Sequence, residues 1–314
     1  MNPQSPTRRD VLTMAAGASI AGIAVPAGQA QEQPRDPFTY SLNTSTIRGQ
    51  NLPIVDEIAI AQRAGYNAIE PWINELETYV NGGGNLRDLG RRISDAGLRV
   101  ESAIGFAPWI VDDDAERRRG VESFRRAMDM VVQIGGARLA APPVGATERN
   151  DLNLLRAAER YRAICEVGQQ IGCTPQMEVW GFSRSVSRLG EAALIAIEAN
   201  HPRACILADV YHLHKGGSGF GGLKQLNGVS LQVFHMNDYP AMPGRADIRD
   251  EHRVYPGDGV APLADILRDL RRIGFRGTLS LELFNRTYWR QDAFEVARTG
   301  LEKMRAVVRA SANG

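Results

Sequence analysis

Four residues stand where they could do chemistry together. Glu178 lies in Gln176-Met177-Glu178-Val179-Trp180, Asp209 closes Ile206-Leu207-Ala208-Asp209, His235 sits in Val233-Phe234-His235-Met236, and Glu282 in Leu279-Ser280-Leu281-Glu282-Leu283-Phe284. Each ionisable group interrupts an apolar run, where a charge is costly unless it is paired or bound to metal. Taken singly, each could be a structural ion pair or a capped loop. Taken together, three carboxylates beside one imidazole would repel until at least one kept a proton, a conflict that a divalent cation removes. The donor set is mostly oxygen, with one nitrogen and no thiolate. That suits Mn²⁺, Mg²⁺ or Co²⁺ and, less closely, Zn²⁺.

Such a cluster needs elements that bring distant residues to one place. From Phe38 onward, helical stretches end at Gly or Asn and short apolar runs follow, Gly being the favoured helix stop. The runs are Phe38–Asn43, Tyr66–Glu70, Leu98–Ile104, Ala137–Ala141, Thr174–Val179, Ala204–Val210, Val229–Met236 and Gly277–Leu283. Between them the apolar period is helical, as at Ile54, Ile58 and Ala61 or at Leu263, Ile266, Leu267 and Leu270. Strands alternating with helices predict a parallel sheet, and apolar residues on consecutive positions fit strands buried on both faces. Eight units predict an α/β protein of the (β/α)8 TIM-barrel class, in preference to an open doubly wound sheet. Barrel enzymes build their sites at the carboxyl ends of strands. Glu178, Asp209, His235 and Glu282 end strands five to eight and should converge on one side of the mouth. The sixth helix is the weak unit, because Gly216–Gly222 leaves little room before Gly228.

The first thirty residues differ from the rest. Thr7-Arg8-Arg9-Asp10-Val11-Leu12 precedes a mild apolar run from Met14 to Val25 and small residues around Ala27–Ala30. This predicts a signal peptide over residues 1–30, resembling the twin-arginine type, with cleavage near Gln31 and a periplasmic location. The run is too short and too rich in Gly and Ala to make a stable membrane anchor. Residues 31–314 are expected to form a single barrel domain. Three cysteines, Cys165, Cys173 and Cys205, with no C-x-x-C, exclude a disulfide framework and read as small buried residues.

At the four strand ends the sequence resembles the sugar phosphate isomerase/epimerase superfamily, whose barrel is xylose isomerase-like and which includes ketose 3-epimerases. Glu178, Asp209, His235 and Glu282 match its Glu-Asp-His-Glu metal motif, and the match runs over the whole chain beyond the leader. The resemblance implies that Glu178 and Glu282 also exchange protons with a small sugar or keto-sugar. In that chemistry the cation stabilises the charge that develops beside a carbonyl as a carbon proton leaves, giving an enediolate. Return of the proton to the opposite face inverts the carbon, and return to its neighbour isomerises the sugar. His212, in the D-x-x-H formed with Asp209, is implied to contact substrate oxygen. Arg253 opens Arg253-Val254-Tyr255-Pro256-Gly257-Asp258-Gly259, similar to the family's R-x-x-P-G-x-G loop, and reads as an oxygen or phosphate clamp. His214, two residues beyond His212, is expected to face solvent. Trp72, Phe106, Trp109, Trp180 and Phe284 follow strand ends and are expected to wall the pocket, although core packing would explain any one of them. Two departures argue against a simple free ketohexose. Arg184 stands where the epimerases carry another glutamate, and a long insertion separates His235 from Arg253.

Other classes are set aside on their own residues. The chain has 314 residues, 43% of them hydrophobic, which excludes a mostly disordered protein, and a net charge of +1, which removes the driving force for nucleic-acid binding. Gly217-Ser218-Gly219-Phe220-Gly221-Gly222 satisfies G-x-G-x-x-G, but too few residues follow to form the helix that would face a pyrophosphate. Five histidines in all are too few for the metal cluster of the related abasic-site endonucleases. The expected activity is a divalent-metal-dependent isomerase or epimerase. A lyase or dehydratase acting on a keto-sugar or 3-keto-glycoside through the same site, and a non-catalytic sugar-binding protein, are the alternatives. The sequence leaves open whether the chain is a monomer or a homo-oligomer.

Overall fold

The computed structural model describes residues 37–312; the expected leader lies outside them. The elements run β1 (Thr39–Asn43), α1 (Ile54–Ala64), β2 (Ala68–Glu70), α2 (Ile73–Asn81), α3 (Leu86–Asp95), β3 (Arg99–Val100), α4 (Asp114–Gln133) and β4 (Arg138–Ala141). They continue with α5 (Leu154–Ile171), β5 (Thr174–Glu178), α6 (Leu189–Glu198), β6 (Ile206–Asp209), α7 (Val210–Lys215), β7 (Leu231–Met236), α8 (Leu263–Arg272), β8 (Thr278–Leu281) and α9 (Ala293–Ala312). The eight strands form one parallel sheet in the order β3-β2-β1-β8-β7-β6-β5-β4. Its two edges meet at Ala103, whose N–H donates to the Arg138 carbonyl at 3.1 Å and whose carbonyl accepts from Ala140 N–H at 2.9 Å. The architecture is that of a (β/α)8 TIM barrel.

Helix stops fall where the sequence placed them. Gly65 and Gly172 close α1 and α5 at φ of 90° and 94°, a region in which a side chain is strained. The third strand is shorter than the apolar run Leu98–Ile104 suggested. Beyond Val100 the chain stays extended but splits its pairing, Ala103 bonding toward β4 and Ile104 toward Pro71 and Ile73, so no continuous ladder forms. The sixth helix is reduced to α7 and the short 3₁₀ turn Gly221–Gln225, so the glycine-rich loop fronts no phosphate-binding helix. Cys165, Cys173 and Cys205 are free and buried. Among the described residues, no helix is long and apolar enough to cross a membrane.

Period-two alternation sorts each strand into an outward and an inward row. The inward rows end on polar residues: Asn43 on β1, Glu70 on β2, Glu178 on β5, Asp209 on β6, His235 on β7 and Glu282 just past β8. Leu207 and Val233, two residues below Asp209 and His235 in their strands, form an apolar floor with Ala140 and Ile104, against which Trp72 packs. One expected pocket wall belongs elsewhere. Trp109 is fully buried in the main core, meets Tyr161 of α5 in a tilted contact at 5.8 Å and donates its indole N–H to the Pro142 carbonyl at 3.0 Å. A residue after a strand end can turn outward under the helices as readily as inward over the mouth, and Trp109 does the former. Trp109→Ala is expected to cost about 3–5 kcal/mol of stability, read as a fall in the denaturant midpoint, with the metal affinity of the folded protein unchanged.

Candidate active site

Strand register sets the site. β6 and β7 align Asp209 with His235, and β1 and β2 align Asn43 with Glu70. Asp209, His235 and Glu282 each offer a ligand atom, and these atoms all lie within 4.8 Å of one another, all buried. Asp209 also caps α7 by accepting from His212 N–H at 2.8 Å, which fixes its carboxylate at the strand end. Glu178 stands beside this trio rather than in it, close enough for its charge to be felt by Glu282, Asp209 and His235. Burial is the largest influence on Glu178 and, with the repulsion of Glu282 and Asp209, pushes its pKa up to about 8 against the pull of His235.

Glu70 is the residue that sequence reasoning missed. Its Oε2 lies 3.1 Å from His235 Nε2 and accepts from Asn43 Nδ2 at 3.0 Å and Ser280 Oγ at 2.6 Å. Asn43 Nδ2 also reaches Glu282 Oε1 at 3.2 Å, tying the two carboxylates to one amide. Burial would raise the Glu70 carboxyl, yet His235, Ser280 and Asn43 together hold it below the usual range. Burial would likewise lower the His235 imidazole, and Glu282 and Glu70 reverse this to well above its ordinary value. The signal was present in the sequence: Glu70 ends Ala68-Ile69-Glu70, a buried ionisable residue at a strand end like the other four.

The donor set fits a divalent cation. With Nε2 held by Glu70, His235 Nδ1 is left facing Glu282 Oε2 at 3.1 Å and Asp209 Oδ2 at 3.7 Å, yet it makes no aligned hydrogen bond. Glu178 Oε2 is also buried without a partner. Buried orphan atoms of this kind call for an occupant. A carboxylate that holds one ring nitrogen fixes the tautomer, so the other nitrogen is presented as a metal ligand.

Arg253 reaches the centre because the long insertion folds back on itself. Asp238 and Val254 pair through both backbone groups, at 2.9 and 3.0 Å, and the Asp238 carboxylate gathers the N–H groups of Tyr239, Gly257, Gly259 and Ala261. The Arg253 guanidinium is buried, with Nη1 at 2.8 Å from Asp209 Oδ2 and 2.9 Å from Glu282 Oε2 and Nη2 at 2.6 Å from Asp250 Oδ1. His212 Nε2 lies 3.1 Å from Arg253 Nη2, and His212 Nδ1 lies 3.2 Å from Gly181 N–H. Burial drives the His212 pKa down to about 4, so the ring is neutral and has one acceptor nitrogen. Only one of the two contacts can therefore be a hydrogen bond. Gly181 is needed for this approach, since a Cβ there would lie 2.2 Å from the His212 carbonyl oxygen.

Aromatic rings border the mouth in a chain. Phe284 meets Trp72 at 6.0 Å, Trp72 meets Phe106 at 5.1 Å, Phe106 meets Trp180 at 5.8 Å, Trp180 meets Phe182 at 5.1 Å, and Phe182 meets His212 at 5.8 Å. Trp72 is locked by its indole N–H to Asn43 Oδ1 at 2.9 Å. Arg184 is exposed, its backbone N–H bonding the Thr147 carbonyl. His214 does not simply face solvent but stacks at 3.8 Å on Tyr239 and is half-buried.

Beyond Trp72 lies a second polar group. Arg48, in the 3₁₀ segment Thr44–Gln50, stacks with Cζ 3.5 Å from the Trp72 ring centroid. It lies between two cavities of ≈390 and ≈620 Å³, the larger also lined by Glu57 and Glu75. Burial, reinforced by Glu75 and opposed by Arg48, lifts the Glu57 carboxyl to about 9.

The family model for a xylose isomerase-like TIM barrel matches residues 58–307, and the chain belongs to that family. It is 25% identical over 269 residues to an inosose isomerase of Bacillus velezensis, spanning 84% of this chain and 94% of that one. It is 26% identical over 264 residues to a 3-dehydroshikimate dehydratase of Pseudomonas aeruginosa, spanning 82% of this chain and 39% of that longer protein. The solved structure of IolI protein with a bound zinc atom shares the fold at a TM-score of 0.81 and 21% identity, covering 87% of this chain and 99% of that one.

Two outcomes follow from this geometry. Glu70→Gln removes the charge that holds His235 Nε2 and is expected to weaken divalent-metal binding about 10–100-fold in calorimetric titration, with the fold intact by circular dichroism. Native Glu57 keeps a proton up to about pH 9, whereas the unfolded chain releases it near 4.5. The native state therefore binds more protons across that window, and stability falls as pH rises through it. Glu57→Gln should flatten that slope in denaturant unfolding; an unchanged slope would contradict the assignment.

Proposed function

We propose that the protein is a divalent-metal-dependent isomerase or epimerase of a small sugar or keto-sugar, working by proton transfer through an enediolate. The observation that carries this reading is the convergence of Asp209, His235 and Glu282 within one coordination sphere's reach. Glu178 completes the expected ligand set from the neighbouring strand. A cation at this centre would supply Lewis-acid stabilisation of the charge that grows on the carbonyl oxygen.

The chain's own groups do the remainder. One of the two carboxylates, Glu178 or Glu282, takes the proton from the carbon beside the carbonyl, and the C–H electron pair moves into the new C=C bond. The other carboxyl group returns a proton to the opposite face for epimerisation; for isomerisation the proton goes to the adjacent carbon while the neighbouring hydroxyl proton passes to the old carbonyl oxygen. Arg253 and the neutral His212 steady substrate oxygens, and the rings of Trp72, Phe106 and Trp180 offer flat faces to sugar C–H surfaces while excluding water.

A second reading uses the same proton removal followed by expulsion of a β-substituent, which would make the protein a lyase or dehydratase. The likeness to the 3-dehydroshikimate dehydratase favours it. Mass spectrometry of keto-sugars and keto-glycosides incubated with metal-loaded protein in heavy water separates the two. A deuterium-labelled isomer supports the first reading, and released water or alcohol supports the second. No exchange with any divalent metal contradicts both. Glu178→Gln is expected to slow exchange about 10²–10⁴-fold without preventing sugar binding.

A further inference from the structure

Arg48 is a cation that Glu75, Glu282 and Glu57 influence only at a distance, with no acid among the described residues bound directly to its guanidinium. Among the described residues it makes no ion pair, and its Nη2 is buried without a hydrogen-bond partner. Trp72 covers one face of the guanidinium, leaving the planar donor edge for an acceptor. Of the two acids that share the larger cavity, Glu75 is already engaged, its Oε2 accepting from Trp72 N–H at 2.9 Å and Thr44 Oγ at 2.7 Å. Glu57 is 2% exposed, and its Oε2 is a second buried orphan. Arg48 and Glu57 are near enough for each to feel the other's charge, yet no direct bridge joins them. A protonated Glu57 is a donor, so two unsatisfied donor groups border one cavity.

This cavity is coupled to the metal centre. Thr46, two residues before Arg48, donates to the Leu281 carbonyl at 2.8 Å and accepts from Leu283 N–H at 3.1 Å, so the segment bearing Arg48 is pinned on both sides of Glu282. Arg48 and Asn74 line both cavities, so the ≈390 Å³ space under Trp72 and Phe106 adjoins the ≈620 Å³ space that reaches Glu57. Volumes of this size suit a small-molecule ligand.

We infer that the Arg48 cavity is a substrate subsite for a carboxylate, so that the molecule whose keto-diol end meets the Asp209–His235–Glu282 centre carries an acid group held by Arg48 over Trp72. The substrate class is then an acidic cyclic polyol or sugar acid rather than a neutral sugar. An anion satisfies the open guanidinium edge in two-pronged fashion and accepts from Glu57, whereas a neutral hydroxyl makes only a single uncharged contact there. The inference rests on the isomerase or lyase reading of the same centre.

Calorimetric titration of the metal-loaded full chain with quinate, a cyclic polyol carrying a carboxylate, and with myo-inositol, a neutral one, tests it. Quinate is expected to bind at least about tenfold tighter. Arg48→Gln should shrink this preference to within about twofold, and Arg48→Lys should restore part of it, with folding of both variants checked by circular dichroism. Equal affinities, a preference that survives in Arg48→Gln, or no binding of either polyol would overturn the inference. Because neither polyol is turned over, the result is independent of the heavy-water assay. Failure of exchange with preference intact would overturn the proposed activity and leave an acid-binding site.

Discussion

Burying acids together is unfavourable unless something positive stands among them, and in this barrel that constraint is met around His235. Glu70 takes one ring nitrogen, and Glu282 and Asp209 face the other. The imidazole thereby becomes the pivot through which β2 is linked to β6, β7 and the end of β8. Removing Glu70 would free the ring to rotate and leave its Nδ1 without a fixed direction. Arg253 supplies a positive charge of its own, and burial that would discourage its ionisation is outweighed by Asp209, Asp250 and Glu282. The cluster is therefore a balanced set in which each carboxylate meets a specific donor, Trp180 in the case of Glu178.

The rest of the molecule serves that balance. The apolar floor below the cluster keeps water from reaching it through the barrel. The segment between His235 and Arg253 is organised by Asp238 and returns Arg253 to the mouth with its guanidinium buried against Asp209 and Glu282. The ring of aromatic side chains from Phe284 round to His212 gives the entrance a low-dielectric wall, inside which charge–charge interactions are stronger than in water. Arg48 extends the polar surface beyond that wall, toward the adjoining cavity lined by Glu57 and Glu75.

Much of this was legible in the sequence, for identifiable reasons. Gly65 and Gly172 mark helix ends because only glycine tolerates the φ they adopt, and that regularity exposed the strand–helix repeat. Asp209, His235 and Glu282 were legible because a charge in an apolar strand has few explanations. Glu70 obeys the same rule but sits on a strand only three residues long, away from the others in sequence, and its role as the partner of His235 depends on barrel closure through β1 and β8. Asn43 and Arg48 were invisible, since an amide at a strand end and an arginine in a turn are commonplace until their neighbours are known. Trp109 misled for the complementary reason: following a strand fixes neither the direction in which the chain turns nor which face of the wall a large ring joins.

The central claim is that Asp209, His235 and Glu282 hold one divalent cation. Anomalous diffraction from crystals of the protein equilibrated with Mn²⁺ measures it most directly. The account predicts a single strong peak bounded by Asp209, His235 Nδ1 and Glu282, with Glu70 retaining its bond to Nε2. Crystals with no peak there, and Arg253 still bridging Asp209 and Glu282 at saturating metal, would contradict it.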